Sequence, residues 1–278
     1  MAGLSIAIAN SISSNYVGVS TPSYDPDAQA FFIAEGAAGV TLSDTEKAAI
    51  NDLVVNLKAA NIWTNMKGLY PFIGTTATSQ KFNLKNPADT NAAYRLSFVG
   101  GWTHSSNGAL PNGTNAYANT FLSTSAIGLN SGHISYYSRT NNTTVSCEVG
   151  GGNPSPDSYT LLELRNGSAL GAFRYNNGVA QNQVAIADTR GFFIGTRTAS
   201  NVIKLFRNNT NIINGSAASN ATSVFSQYIA AYNGSNTAFA YSNRQCAFAS
   251  IGTGLTDTEA ANFYTAVQNF QTTLGRQV

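Results

Sequence analysis

Charged residues are scarce in this sequence: they make up 10% of its 278 residues, with 15 Lys and Arg against 13 Asp and Glu. Soluble domains usually carry about 25%. Such a shortage is unusual for a cytosolic metabolic enzyme and favours secreted, cell-surface or virion proteins. The net charge of +2 comes without a basic block or an arginine cluster. Because binding to nucleic acid depends on neutralising phosphates, we expect no nucleic-acid partner.

Residue types that hold metals or cross-link chains are also few. The two histidines, His104 and His133, lie too far apart in the sequence to indicate a zinc site. No run of Asp and Asn has the spacing of a calcium loop. Cys147 and Cys246 are the only cysteines. We expect them to be free and buried, with a single disulfide as the alternative, and we expect neither a metal nor another cofactor.

The sequence lacks long apolar runs and recognisable catalytic motifs. No run approaches the roughly 18 apolar residues that cross a bilayer, so no membrane insertion is expected. There is no nucleophile elbow and no Ser-His-Asp or Cys-His arrangement. The Glu-x-Asp-x-x-Glu strand of one large branch of glycosidases is absent as well. These absences predict a protein that is not an enzyme and has no catalytic residues.

The glutamates offer the one alternative to that prediction. Glu35 falls in a predicted loop, whereas Glu148 and Glu163 fall on neighbouring predicted strands. Glycosidases need two carboxylates about 5 to 10 Å apart across a cleft. We expect instead that these two glutamates face solvent or pair with an arginine such as Arg165. A glycoside hydrolase that uses Glu148 and Glu163 is our third functional hypothesis.

Short β-branched and aromatic runs, separated by turns of Gly, Asn and Pro, are the main feature that is present. Residues 192–194 and 202–207 predict one strand pair. Arg165-Asn166-Gly167 lies between two further runs, and an Asn-Gly pair there is a strong hairpin signal. Strands at this spacing predict a sandwich or jelly roll. The predicted strands are 95–98, 118–122, 133–138, 144–149, 159–164, 169–175, 183–187, 192–194, 202–207, 227–232 and 246–250.

Two helices are marked by almost identical starts. Ser43 to Glu46 forms a capping box, and apolar residues then recur at i, i+3, i+4 and i+7. Residues 255–259 repeat the same start before a helix with Phe263 on its apolar face. A shorter helix begins at Asp25-Pro26 and ends near Gly36. We expect the apolar faces of these helices to pack on the sheet or on each other.

These patterns divide the chain into three parts. Residues 1–24 form an extended arm with a period-two alternation, residues 25–74 a small helical region, and residues 75–278 a β-sandwich closed by the C-terminal helix. The arm has two interpretations that the sequence leaves open. It is a flexible or edge-strand terminus, or it anchors the chain by adding a strand to a neighbouring subunit.

The last strand and helix resemble the end of a known fold. Residues 247–252, a short loop and the Leu-Thr-Asp-Thr-Glu start at 255–259 are similar to the close of concanavalin A-like or laminin-G-like jelly rolls. The strand pair around Phe193 and Leu205 is similar to paired strands of such domains. The resemblance implies a mainly β, antiparallel sandwich of the concanavalin A-like jelly-roll kind, with a small N-terminal helical region and a C-terminal helix.

A second resemblance concerns residues 42–122. Trp63-Thr-x-Met66, the segments 70–74, 81–85 and 100–104, and Pro111-Asn-Gly-Thr resemble a block in structural proteins of tailed bacteriophages. This resemblance implies a non-enzymatic virion component, such as a head fibre, a capsid decoration protein or a tail appendage. The implied location is the virion. The implied partners are further copies of the chain and other virion proteins, reached through the N-terminal arm.

A glycan-binding receptor module is the second functional hypothesis, with a host-surface glycan as partner. Sugar binding uses an exposed aromatic platform, although Trp and Tyr on alternating strands more often pack in a core or between subunits. The loop 100–119 is rich in glycine and carries the ligand-binding residues that we predict, Trp102, His104 and Tyr117. The further aromatic candidates are Tyr136, Tyr137, Tyr159 and Tyr175.

Overall fold

The structure is a computed structural model that describes residues 23–153, 158–178 and 182–278. The predicted arm therefore lies almost wholly outside the described residues. The helices are α1 (Pro26–Ala37), α2 (Asp44–Ala59), α3 (Ala77–Gln80) and α4 (Asp257–Thr273). The strands are β1 (Met66–Tyr70), β2 (Ser97–Val99), β3 (Trp102–Ser105), β4 (Gly108–Pro111), β5 (Tyr117–Ser123), β6 (Gly132–Ser138), β7 (Val149–Gly152), β8 (Thr160–Glu163), β9 (Leu170–Arg174), β10 (Gln183–Ala185), β11 (Gly191–Ala199), β12 (Val202–Arg207), β13 (Thr210–Gly215), β14 (Ser226–Ile229), β15 (Tyr232–Gly234), β16 (Thr237–Phe239) and β17 (Cys246–Gly252).

The strands form two sheets. The first has the order β13-β12-β11-β6-β17-β4-β3, with β1 also paired to β17. The second has the order β10-β9-β8-β7-β14-β5-β2, and β15, paired with β16, joins it alongside β7. The strand pairs in both sheets are antiparallel except β15 and β7, which run parallel. The predicted mainly β, antiparallel sandwich with helices near both ends is confirmed.

The two sheets enclose an apolar core in which aromatic rings of one sheet lie against glycines of the other. Phe173 and Tyr175 of the second sheet are fully buried. Their rings occupy the space that a Cβ would need at Gly195 and Gly132 of the first sheet. Any larger residue at these two positions would have to displace an aromatic ring. The glycines therefore set how closely the sheets approach.

The outer face of the first sheet is covered by helices. The buried sides of α1, α2 and α4 share one apolar cluster with residues of β6, β11, β12 and β17. The Phe263 ring of α4 meets Phe192 and Phe248 edge to face, with centroids 5.2 Å and 5.9 Å away. The two predicted capping boxes are present, and the predicted packing of the helices is confirmed. In the described part of the chain the outer face of the second sheet carries no helix.

Both cysteines are free and buried, as expected. Cys246 lies in the core between the sheets, and Cys147 lies in a small cluster on the second sheet. Burial raises the pKa of both thiols well above its ordinary value. Neither cysteine is therefore activated as a nucleophile.

Several predicted boundaries were wrong. The predicted strand 144–149 ends at the residue where β7 begins. The glycine run of β7 is a weak strand signal, so the sequence did not predict this strand, which forms because it pairs with neighbouring strands. The predicted loop 100–119 holds the hairpin of β3 and β4. The sequence analysis did not identify β1, β13 or β16. Strand β1 lies inside the predicted helical region 25–74 and pairs with β17.

Glu35 is not in a loop. It lies in α1, fully buried, and both of its carboxylate oxygens are without a hydrogen-bond partner in the described residues. Burial, together with the nearby charge of Glu46, raises the pKa of Glu35 to about 9. The carboxyl is therefore neutral in the folded chain at pH 7.

Replacing Phe263 with Ala tests the helical layer. We expect a loss of roughly 2 to 5 kcal/mol in the free energy of unfolding, because the deletion leaves a cavity between α4 and the first sheet. The same loss is expected for Leu53→Ala on α2, which is also buried. Urea unfolding gives the value, and Asn262→Ala on the exposed side of α4 is the control. Unchanged midpoints for both core variants would contradict this packing.

Glu35→Gln tests the buried carboxyl. The pKa of Glu35 is raised on folding, so the native state retains a proton that the unfolded chain loses, and stability falls as pH rises from about 4.5 to about 9. We expect the stability of Glu35→Gln relative to the unchanged protein to rise by roughly 2 to 4 kcal/mol between pH 5 and pH 8. Asp52→Asn, on the exposed face of α2, should show no such rise.

Candidate ligand-binding surface

Two surface depressions lie near α1. One, of about 380 Å³, is lined mainly by apolar residues and contains Lys47 as its charged group. The other, of about 460 Å³, is lined mainly by Gly and Thr and contains Glu46. The carboxylate of Glu46 already accepts hydrogen bonds from the backbone amides of Ser43 and Gly74. These depressions therefore offer few free groups that could recognise a ligand.

The open face of the second sheet is built differently. Alternation along β8 and β9 turns Leu162 and Phe173 into the core, while their neighbours on each strand point outward. The register places Leu161 opposite Arg174, and Glu163 opposite Ala172. A carboxylate and a guanidinium thus lie on neighbouring strands of the face that no helix covers.

Strand β7 lets an aromatic ring lie flat on this face. A Cβ on Gly150 would be 2.8 Å from Cδ2 of Tyr232, and one on Gly152 would be 2.7 Å from its hydroxyl oxygen. Neither glycine has a left-handed φ. Both positions are therefore glycine for reasons of space, because the ring of Tyr232 takes the place of their side chains.

Two more aromatic residues extend this surface. The Tyr159 ring lies 6.1 Å from that of Tyr232, and the Phe239 ring lies 5.1 Å from it on the other side. The Arg174 guanidinium lies 5.6 Å from the centroid of the Tyr159 ring. Phe239 is 50% exposed, which is unusual for so large an apolar side chain. We call Tyr159, Glu163, Arg174, Tyr232 and Phe239 the outer-face cluster.

Polar groups of the outer-face cluster lack partners. The hydroxyl of Tyr232 and Nε of Arg174 are buried and have no hydrogen-bond partner among the described residues. Within the described residues, Glu163 and Arg174 form no hydrogen bond, and no ion pair joins them. Burial, and then the charge of Glu148, raises the pKa of Glu163 to about 6, while Arg174 opposes this rise. A buried polar group without a partner costs about 1 to 3 kcal/mol, so these groups are unusual within the fold.

Glu148 is fully buried, whereas Glu163 is partly exposed. Its Oε1 accepts from Arg244 Nη1 at 2.7 Å and from Ser146 Oγ at 2.8 Å, and its Oε2 accepts from the Leu164 amide at 2.7 Å. Both Glu148 and Arg244 are completely buried. The expectation that these glutamates pair with an arginine is confirmed for Glu148, although the partner is Arg244 and not Arg165.

Arg165 instead donates to the Ile186 carbonyl. The proposed catalytic pair consequently has one carboxylate, Glu148, that is sealed inside the protein and cannot touch a substrate. Only Glu163 of the two is within reach of a bound molecule. The sequence predicted that the two glutamates lie on neighbouring strands. It did not predict that Arg244 is the buried partner of Glu148.

Trp102 and His104, two of the predicted ligand-binding residues, lie two residues apart on β3. Their rings stack with centroids 6.2 Å apart, and Phe98 meets both edge to face. His104 Nδ1 lies 2.7 Å from Gln80 Oε1, and Trp102 Nε1 donates to the Val99 carbonyl at 3.0 Å. Burial lowers the pKa of His104. The indole N–H and one imidazole nitrogen are thus already engaged within the fold.

Tyr117, the third predicted residue, is not part of that group. Its ring stacks on Tyr228, with centroids 4.4 Å apart and planes 18° apart, on strands β5 and β14 of the second sheet. The remaining tyrosine candidates lie in two different places. Tyr159 belongs to the outer-face cluster, whereas three are fully buried: Tyr136, Tyr137 and Tyr175.

The other histidine makes a contact that would suggest catalysis if it were exposed. His133 Nε2 lies 3.0 Å from Ser250 Oγ, and its Nδ1 lies 2.6 Å from the Thr253 carbonyl oxygen. Both side chains are fully buried beneath Phe263, and burial lowers the pKa of His133 to about 4. This pair fastens the loop after β17 to the first sheet.

The sequence analysis missed four of the five cluster residues as ligand-binding groups. Tyr159, Leu161 and Glu163 alternate outward along one strand, which is a signal that was present in the sequence. The placement of Tyr232 and Phe239 depends on the parallel pairing of β15 with β7. A pairing between strands so far apart in the chain has no local signal.

Comparison with known proteins concerns the fold alone. No protein family model matches the sequence, and no curated protein matches it. A Trypanosoma rangeli sialidase mutant displaying trans-sialidase activity is similar with a TM-score of 0.50 and 8% identity, over 79% of this chain and 39% of the sialidase. The chain thus spans about two-fifths of that enzyme. The likeness shows the fold.

Two smaller proteins give lower scores. Domain 4 of AbnA, a GH43 extracellular arabinanase from Geobacillus stearothermophilus in complex with arabinotriose, is similar with a TM-score of 0.44 and 12% identity, over 72% of this chain and 98% of that domain. The binding domain of botulinum neurotoxin serotype D/C is similar with a TM-score of 0.43 and 12% identity, over 74% and 53%.

Neither a metal-binding cluster nor a membrane-spanning helix is present in the described ranges. No group of three or more His, Cys, Asp or Glu residues in them is placed to hold a metal ion. None of the helices described is long and apolar enough to cross a membrane.

Gly150→Ala tests the shape of the outer-face cluster. The new methyl group would lie 2.6 Å from Cys147 Sγ and 2.8 Å from the Tyr232 ring, so one of them must move. We expect a loss of about 1 to 3 kcal/mol in the free energy of unfolding, measured with urea. Gly167→Ala is the matched control, since a Cβ there meets nothing within 4 Å. Equal stability of the two variants would show that Tyr232 does not rest on β7.

Proposed function

We propose that this protein is a glycan-binding module and that the outer-face cluster is its binding site. One observation carries the proposal: aromatic rings and polar groups without partners lie together on the sheet face that no described helix covers. Sugars need both kinds of group. Their C–H faces pack on aromatic rings, and their hydroxyls require hydrogen-bond donors and acceptors.

The chemistry of the cluster matches that requirement. Tyr159 and Phe239 supply partly exposed rings on either side of Tyr232. The Tyr232 hydroxyl and the Arg174 guanidinium are donors, and Glu163 accepts hydrogen bonds when it is ionised. Because the rings are fixed by packing on a sheet, they lose little conformational freedom when a sugar binds.

The fold is compatible with this function. The sialidase mutant that shares the sandwich is named for activity on a sugar, and the arabinanase domain is described with arabinotriose bound. At 8% and 12% identity no residue can be carried over from either protein. The proposal therefore depends on the outer-face cluster of this chain.

The proposed module binds without catalysis. Hydrolysis of a glycoside by two carboxylates needs both of them at the scissile bond. Glu148 is buried in its ion pair with Arg244, so Glu163 has no second glutamate beside it that could reach a sugar. Binding alone is what an adhesion module requires.

The setting on a bacteriophage particle is proposed from the resemblance of residues 42–122. In that setting the chain would be a head fibre, decoration protein or tail appendage that forms a homo-oligomer and uses its sugar site for adhesion to a host. Immunogold electron microscopy of purified particles tests the location. Regular label on heads or tail tips would support it, and label confined to the lysate would contradict it.

Tyr159→Ala tests the site. Screening on a glycan array identifies a ligand, and isothermal titration then measures its Kd. We expect roughly a tenfold weaker Kd for the variant, because removing a stacking ring costs about 1.4 kcal/mol of binding free energy. Tyr264→Ala is the control, since Tyr264 is half-buried in the helical layer on the other side of the protein. An array on which no glycan binds, or equal losses for both variants, would contradict the proposal.

A further inference from the structure

We infer that the outer-face cluster takes an acidic saccharide and that Arg174 binds the carboxylate of this ligand. The inference rests on the proposed glycan-binding function and adds the chemical class of the ligand. It starts from the side-chain contacts of Arg174, which differ from those of the other arginines that the fold encloses.

Arginines elsewhere in the fold use their donors on the protein itself. Arg197 donates to the carbonyls of Tyr175, Ala199, Ser200 and Ala217. Arg276 donates to four backbone carbonyls and to the side chain of Gln271. Arg244 pairs with Glu148. These three arginines thus use most of their donors on the protein, although Nε of Arg244 has no partner in the described residues.

Arg174 differs from these three arginines in that none of its donors has a described acceptor. It is half-buried and its Nε is fully enclosed, yet no described residue accepts a hydrogen bond from it and no described carboxylate lies within ion-pair distance. Its neighbour Tyr159 offers a ring face, which holds the guanidinium without using its N–H groups. A planar guanidinium with free N–H groups matches a carboxylate, which it binds through two parallel hydrogen bonds.

The surroundings of Arg174 fit a sugar that carries this carboxylate. Next to Arg174, the Tyr232 hydroxyl is buried and has no hydrogen-bond partner in the described residues. Burial raises the pKa of this phenol, so it remains a neutral donor. Phe239 is half-exposed against the Tyr232 ring. One charged group, one neutral donor and the partly exposed rings of Tyr159 and Phe239 are a set that suits an acidic sugar better than a simple anion.

Glu163 makes this binding depend on pH. The charged and titratable groups around it are Arg174 on β9, Glu148 before β7 in its ion pair with Arg244, and the neutral Cys147 thiol. With a pKa of about 6, Glu163 is mostly ionised at pH 7.5 and mostly neutral at pH 5. An ionised Glu163 repels a ligand carboxylate, which itself stays ionised at pH 5 because its pKa is about 4 or lower. Binding should therefore be stronger at pH 5.

The experiment uses a glycan array that carries uronic-acid and other carboxylated oligosaccharides beside their carboxyl-reduced counterparts, with sulfated oligosaccharides as a third set. The full chain is applied at pH 5 and at pH 7.5. We expect at least a tenfold preference for a carboxylated glycan over its reduced form, and tighter binding at pH 5.

Variants then assign the charge. Arg174→Gln should remove the preference for the carboxylated form, and Arg174→Lys should retain part of it, because the ammonium keeps the charge but not the planar pair of donors. Glu163→Gln should remove the difference between the two pH values. Arg190→Gln, which removes a positive charge that is paired with Asp188 elsewhere, is the control. Thermal unfolding of each variant verifies that it is folded.

Each outcome decides the inference. Preference for carboxylated glycans that Arg174→Gln abolishes and Arg190→Gln leaves intact would support it. Equal binding of carboxylated and carboxyl-reduced glycans would overturn it while the glycan-binding function stands. Binding of sulfated glycans alone would overturn the assignment of a carboxylate. Absence of binding to any glycan would overturn the proposed function and the inference with it.

Discussion

Strands β6 and β17 are buried along their whole length, because the first sheet is covered on one face by the second sheet and on the other by helices. This two-sided burial uses the apolar faces of α1, α2 and α4. No described helix covers the outer face of the second sheet, where Phe239 is exposed while Leu161, Ala172 and Tyr232 are buried. Any group on that face that the fold does not need for stability is available for binding. The position of the outer-face cluster follows from this division of the layers.

Few charges are available to the chain, and most of those inside it are satisfied internally. Arg276 ties the C-terminus to carbonyls near β1 and β17, and Arg244 neutralises Glu148 between strands. Polar groups that remain without partners are therefore informative. Glu35, without a partner in the described residues, is neutral and belongs to the helical layer. Arg174, without a hydrogen-bond acceptor in the described residues, lies against the half-buried ring of Tyr159, and we propose that this is part of a binding site.

Local patterns predicted much of the fold and little of the site. Period-two runs, Asn-Gly turns and the capping boxes at Ser43 and Thr256 depend on neighbours in sequence, and they were predicted well. Strand β7 was misplaced because glycines are a weak strand signal. Two of its glycines, Gly150 and Gly152, lie close to Tyr232, which is distant in sequence. Trp102 and His104 lie on one strand, but Gln80, the hydrogen-bond partner of His104, comes from another segment and could not be predicted from local patterns. Only Tyr159 was named as an aromatic candidate within the outer-face cluster.

Mapping of a bound glycan by NMR tests the central claim most directly. Backbone amide shifts of the full chain would be compared with and without a saturating concentration of the oligosaccharide that binds best on the array. The account predicts that the largest changes fall on β7, β8, β9 and β15, with the side-chain Nε–H of Arg174 among them. Changes concentrated around the depressions at α1, or around Trp102 and His104, would contradict it.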